Sequence, residues 1–271
     1  MGLIYMIALS RQNLNESLGA LIVALFCIMG IGALQLPQVN KLKNSSTSIS
    51  LTDLNKEVNS EKLRLEILHK LPSFGFTNLV ADWTFLNFLQ YFGDDSSRAK
   101  TGYTLSPEYF EVILDRDPYF LNAYLLLSAS TTLYAGRPDR TIAIMEKGLK
   151  HLSPKIPSKS YYIWRWKGAD ELLFLGNFKA AKQSFETAAQ WASTYSDAES
   201  QNVARISHRT AQFLTKNSAS KSAQIDAWSM VLNNAFDDRT RQLAINRIQA
   251  LGGKVFVTPE GELKIQPPKK D

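Results

Sequence analysis

The sequence predicts an all-α protein in which antiparallel helical hairpins stack into a superhelix, preceded by one N-terminal transmembrane helix and closed by a small C-terminal β-hairpin. Three observations carry this reading. From Asn78 onward apolar residues recur at helical spacing, with polar, Gly or Pro breaks roughly every 15 to 20 residues. Apolar-polar alternation, the mark of a half-buried strand, is absent until the end of the chain. Two segments starting at Gly136 and Gly176 place small and large side chains at the same offsets, which signals a repeat. The 271 residues, 45% hydrophobic and 21% charged with 14 Gly and 10 Pro, exclude collagen-like, low-complexity and wholly disordered chains. The single cysteine, Cys27, excludes an intramolecular disulfide and a cysteine-based metal site within one chain.

The elements follow in order. Residues 1–17 are an N-terminal tail. From Leu18 to Leu34 the chain reads LGALIVALFCIMGIGAL without a polar side chain, and Leu36 extends the run. Crossing a hydrocarbon core of about 30 Å takes about 20 residues, or as few as about 17, so residues 18–36 are read as a transmembrane anchor. The rival is a cleaved secretory signal with Arg11 as its basic region and Gly30, Gly32 and Ala33 near the cleavage point. The run exceeds the about 7 to 15 apolar residues of such a signal. Lys41, Lys43 and Lys56 outnumber Arg11 and the terminal amine, which puts the following domain of this single-pass membrane protein on the cytoplasmic side. Signal-anchor insertion would put it on the other.

Residues 37–50, PQVNKLKNSSTSIS, are polar and form a linker. Ser50 and Asp53 open an amphipathic helix over 51–71, with Leu51, Leu54, Val58, Leu65 and Leu68 on one face. Its charged face mixes both signs, so it is expected to pack on the next domain rather than lie in lipid. Residues 78–251 hold the helical repeats. Ala181, Phe185 and Ala188 follow Gly176 at the offsets at which Thr141, Met145 and Gly148 follow Gly136. Small residues are needed where two helices of a hairpin cross closely, and large ones where the second helix meets the next hairpin. Phe110 lies eight residues before Pro118, which is expected at N1 of the next helix. A fourth hairpin is expected over about Asp197 to Asn234, and a helix over Asp237 to Leu251 to seal the end of the stack, stopped by Gly252-Gly253. Residues 252–271 are a hairpin, Val255 to Val257 against Leu263 to Ile265 with a turn at Pro259 and Gly261, and a tail.

These spacings resemble tetratricopeptide (TPR) repeats, paired helices of about 34 residues that end in a proline. The unit at Gly176 carries the pattern and the unit at Gly136 is degenerate. The block NLVADWTFLNFLQYFGDD, with the apolar anchor, GYTLSPEYF and SYYIWRWKG, resembles a class of membrane-anchored TPR-like proteins of cyanobacteria and some other bacteria. That resemblance brings no established activity. It implies a bacterial membrane, thylakoid or plasma membrane, as the location.

Catalytic chemistry finds no support. His69, His151 and His208 are isolated and fit no metal spacing. No GxSxG elbow or phosphate loop occurs, and the acid pairs Asp94-Asp95 and Asp237-Asp238 fall where helices begin. No cofactor, metal or catalytic residue is expected, and the protein is read as a non-enzyme. The net charge of +6 is localised: Arg137, Arg140, Lys147, Lys150, Lys155, Lys159, Arg165 and Lys167 face only Asp139 and Glu146. Such an excess suits an acidic partner or an anionic lipid surface. Tyr161, Tyr162, Trp164 and Trp166 are interleaved with it, but they are better explained as repeat packing than as base-stacking groups, so nucleic acid is not expected.

The TPR resemblance implies that partners bind the inner face of each first helix. By spacing to the hairpin glycines this selects Trp83, Asn87, Gln90 and Tyr91, then Ser130 and Tyr134, then Trp166, Lys167, Asp170 and Phe174. The long connection GDDSSRAKTGYTL between Gly93 and Ser106 adds Asp94, Asp95, Arg98, Lys100 and Tyr103, because long loops without secondary structure are often functional. The expected function is a membrane-tethered scaffold or assembly factor for another membrane or peripheral protein. The alternative is a constitutive small subunit of a large membrane complex. For the anchor the expected outcome is that alkaline carbonate extraction leaves the full-length chain in the membrane. A native N-terminus at or after Leu34, found by N-terminal sequencing, would establish a cleaved signal instead.

Overall fold

The computed structural model describes residues 21–33, 35–36, 50–216, 220–257 and 263–268. The chain divides into two compact units, residues 1–50 and 51–271. In the first, residues 21–33 are helical and almost all exposed. No helix among the described residues is long and apolar enough to cross a membrane. The 1–17 tail, residues 18–20 and 34 of the expected anchor, and 37–49 of the expected linker lie outside the described residues.

The second unit is mostly helical, as the periodicity predicts: α1 (Leu51–Lys70), α2 (Thr77–Gly93), α3 (Asp95–Thr101), α4 (Ser106–Arg116), α5 (Leu121–Leu127), α6 (Pro138–Leu149), α7 (Tyr161–Leu173), α8 (Phe178–Ala192), α9 (Ala198–Lys216), α10 (Lys221–Asn233) and α11 (Asp238–Ala250). A π-helical segment, Ser128–Tyr134, continues α5. Strands β1 (Lys254–Val257) and β2 (Leu263–Gln266) pair antiparallel, with Val255 opposite Ile265 and Val257 opposite Leu263. This is the expected register. The turn residues Pro259 and Gly261 lie outside the described residues.

α1 packs on α3 and α4 through buried Leu54 and Leu65, as its mixed-charge face implies. Its C-terminal carbonyls, which have no intrahelical donors, are capped from α4: the Arg116 guanidinium donates to Leu68 O at 2.7 Å and to His69 O at 3.2 Å. Beyond α1 the chain forms helical pairs, α2 with α4, the π-helical segment with α6, and α7 with α8. The repeat offsets explain these crossings. Thr141, Met145, Ala181 and Ala188 are fully buried, and Phe185 is nearly so. At Gly148 an added Cβ would lie 2.0 Å from Tyr124 Oη, so only glycine lets α5 approach α6 this closely. The main core gathers aromatic rings: Phe88 meets Phe110 edge-on at 4.6 Å, and Tyr109 at 5.7 Å.

The first helices of the second and third pairs end alike. Ala135 N–H donates to Ser130 O and Arg137 N–H to Thr131 O, matching Leu175 N–H to Asp170 O and Asn177 N–H to Glu171 O. Gly136 (φ +63°) and Gly176 (φ +64°) hold the left-handed position between them.

Four expectations need correction. Pro118 does not start a helix: it lies in a turn that precedes α5, where Asp117 Oδ1 accepts the Tyr119 N–H at 2.9 Å. The connection between Gly93 and Ser106 is not a structureless loop. It folds into α3, capped by Asp94, whose carboxylate accepts Ser97 N–H at 3.1 Å, and closed by Gly102 at φ +66°. The expected fourth hairpin also divides differently: α9 packs along α8, and α10 pairs with α11. Nor does α11 seal an end of the stack. The α10–α11 pair lies over the turns, where a Cβ at Gly102 would strike the Asp237 side chain, one at Gly136 would meet Leu243 at 3.2 Å, and one at Gly176 would meet Gln224 at 2.6 Å.

Gly136→Ala forces a left-handed alanine against Leu243, which costs about 1 to 3 kcal/mol. Gly93→Ala, which meets nothing within 4 Å, should be neutral or stabilising. Urea unfolding of the two variants checks the contrast.

Candidate partner-binding surface

The selected residues separate into an internal set and an open set. Lys167 and Asp170, expected as polar handles for a partner, are buried, which corrects that assignment. The reason is that α7 is covered on this side by its neighbours. Lys167 Nζ donates to a Glu171 carboxylate oxygen and to Ser184 Oγ at 3.3 Å, and lies 3.2 Å from Glu146. Ser184 Oγ in turn donates to the other Glu171 oxygen at 2.6 Å. A buried ammonium is tolerable only with such partners.

Asp170 accepts from Ser128 Oγ at 2.9 Å and Thr132 Oγ1 at 3.1 Å. The π-helical segment supplies both hydroxyls. Burial outweighs these bonds and pushes the Asp170 carboxyl up to about 7.

Other selected residues are also structural. Ser130 is buried with its hydroxyl on Leu126 O at 2.7 Å. Tyr134 packs edge-on to Phe92 and Tyr103, with centroids 5.1 Å and 5.0 Å away. Trp166 stacks on Tyr162, and Phe174 meets Trp228 of α10 edge-on at 5.9 Å, with its carbonyl accepting the Trp228 indole N–H at 3.2 Å. Tyr103 is buried, and Arg98 is buried over the Tyr91 ring at 3.9 Å, with its guanidinium donating to Gly102 O at 3.0 Å. Asp95 and Lys100 on α3 are exposed.

The open set lies on α2. Trp83 is 58% exposed, Gln90 is exposed, and half-buried Asn87 donates to Trp83 O at 2.6 Å. Beside them Asn87, Gln90, Tyr91, Asp94 and Arg98 line one cleft of about 530 Å³ against α1. Its far wall carries Glu57, Glu61 and Arg64. Glu61 accepts from Arg64 Nε at 2.9 Å and from the Tyr109 hydroxyl. Burial and this carboxylate raise the Tyr109 phenol, and burial pushes Tyr91 up to about 12, so both hydroxyls remain protonated donors. The cleft is lined by both signs of charge. Phe76, Leu79 and Leu86, which the spacing to the hairpin glycines does not pick out, are exposed with Trp83. Their spacing of three, four and three residues around Trp83 marks one face of a helix.

The basic stretch does not persist as a patch. Arg137 pairs with Asp139, Arg140 with Glu111, Lys147 with Asp115, Lys159 with Glu199 and Lys167 with Glu171. Lys150 and Lys155 stay exposed. Trp164 packs edge-on against Trp191 at 5.8 Å and Tyr161 is fully buried, so these aromatics serve packing. In comparisons with known proteins the chain matches no family model, no curated protein and no solved structure.

Asp170 gives a pH signature. An unfolded aspartate titrates near 3.9, whereas the folded carboxyl holds its proton to about 7. Between these values the folded state binds more protons, so stability falls as pH rises through the window. Asp170→Asn keeps a hydroxyl acceptor and cannot ionise. From pH 5 to pH 8 the wild type should lose on the order of 2 kcal/mol more stability than the variant. Parallel curves in chemical denaturation would show that Asp170 is charged in the fold.

Proposed function

We propose that this protein is a membrane-tethered scaffold or assembly factor that holds another membrane or peripheral protein against the outer face of α2, with α2 to α8 read as TPR-like hairpins. One observation carries this reading: Phe76, the residue that caps the N-terminus of α2, and Leu79, Trp83 and Leu86 within it expose 65%, 65%, 58% and 54% of their surface along one stripe. Single exposed apolar residues are ordinary, but a contiguous stripe bordered by polar groups marks an interaction surface. The polar cleft of Asn87, Gln90 and Asp94 borders it, giving the apolar centre and polar rim of a protein interface. The apolar run at 18–36 and the polar residues 37–50 supply the tether. Because Lys167 and Asp170 of α7 are satisfied within the fold, this reading rests on α2 and not on α7.

A photo-crosslinking residue at Leu86, introduced into cells, should give a discrete adduct in native membranes. The same residue at Phe178, exposed on α8, should not. Trp83→Ala should weaken the complex by about 2 kcal/mol or more, as buried aromatic anchors do. Equal adducts at both positions, or an adduct indifferent to Trp83→Ala, would place the partner elsewhere.

A further inference from the structure

A second cleft, of about 630 Å³, opens where α10 and α11 lie over the turn before α6. Its charge comes from three arginines separated in sequence, Arg137 before α6 and Arg239 and Arg247 on α11, and it contains one carboxylate, Asp139. Asp139 is already committed: Arg137 donates to it through Nε at 3.0 Å and Nη2 at 2.8 Å, and this pairing holds the carboxyl below its ordinary range. Among the described residues neither Arg239 nor Arg247 has a carboxylate partner. The Arg247 guanidinium instead lies 5.7 Å from the centre of the Trp228 ring, and the Asn246 carboxamide adds a neutral donor to the same wall. Arg239, Asn246 and Arg247 recur on one face of α11 at helical spacing. Among the described residues the cleft therefore holds two uncompensated positive charges, hydrogen-bond donors and an aromatic floor, and its volume suits a small molecule.

We propose that this cleft binds a phosphate monoester. Guanidinium groups recognise phosphate through paired hydrogen bonds, and a monoester carries about −1.5 to −2 charges near neutral pH, which matches the charges of Arg239 and Arg247. A single carboxylate would leave one of them uncompensated. The phosphate group can belong to a soluble ester or to a lipid headgroup such as phosphatidic acid. The site shares no residue with the α2 surface, so it stands whether or not a protein partner binds there.

The test uses the full-length protein in a nonionic detergent. Isothermal titration with inorganic phosphate should show saturable binding in the presence of chloride. Arg239→Gln with Arg247→Gln should weaken it by about tenfold or more, while Lys150→Gln with Lys155→Gln should change it less than about twofold. Both pairs are exposed, and unchanged melting in phosphate-free buffer shows that each variant is folded. After reconstitution, vesicles of phosphatidylcholine with phosphatidic acid that compete with phosphate identify the lipid source. Vesicles that do not compete identify a soluble ester. The absence of saturable binding, or equal loss in the two double variants, overturns the proposal.

Discussion

Three turns without side chains organise the second unit. At Gly102, Gly136 and Gly176 the backbone is left-handed, and the space that a Cβ would occupy is filled by Asp237, Leu243 and Gln224 of the C-terminal segment. Left-handed geometry alone favours glycine, but here the close approach requires it as well. The α10–α11 pair can lie across successive turns only because each presents bare backbone. Its own core of Ile225, Trp228, Val231 and Ile248 is completed by Leu133 and Phe174, which belong to earlier hairpins. The last helices are thus fastened to the middle of the chain through contacts distant in sequence, from Gly102 to Asp237 and from Gly136 to Leu243.

Electrostatics is rearranged by the same packing. A stretch that reads as strongly basic along the chain is drawn into pairs with carboxylates of α4, α7 and α9, while a positive cleft arises from arginines that are far apart in sequence. Coulomb interaction depends on distance in space, and beyond about 8 to 10 Å salt screens it. Counting charges along a helical chain therefore says little about the field at its surface. The buried Lys167–Glu171 pair with Ser184 shows the other side of this: ions taken from water contribute little net stability but penalise any arrangement that leaves one of them alone.

Much of the fold was legible because helices and glycine stops leave periodic marks. The hairpin offsets after Gly136 and Gly176, the α11 stop at Gly252-Gly253 and the β1–β2 register all rest on local geometry. What was not legible depends on distant neighbours. The spacing put Lys167 and Asp170 on α7 correctly but could not see that Glu171, Ser184, Ser128 and Thr132 satisfy them. In GDDSSRAKTGYTL the polar composition concealed a capped helix, because Arg98 hides its stem and charge over Tyr91. The exposure of α2 was half legible: the spacing picked out exposed Trp83 and Gln90 and half-buried Asn87, whereas exposed Phe76, Leu79 and Leu86 were passed over because an apolar residue in a helix reads as core until its neighbours are known.

The π-helical segment carries a consequence for inheritance. A π turn is an α-helix that has accommodated a surplus residue, and here it brings Ser128 and Thr132 to Asp170 and Tyr134 to Phe92 and Tyr103. Losing one residue between Ser128 and Thr132 would restore the ordinary winding and leave the helix on either side close to its present register, but the two hydroxyls would then stand three residues apart instead of four. Asp170 would lose the paired donation it now receives. A lineage shortening this segment is expected to have replaced Asp170 as well, so that segment length and residue 170 travel together through descent.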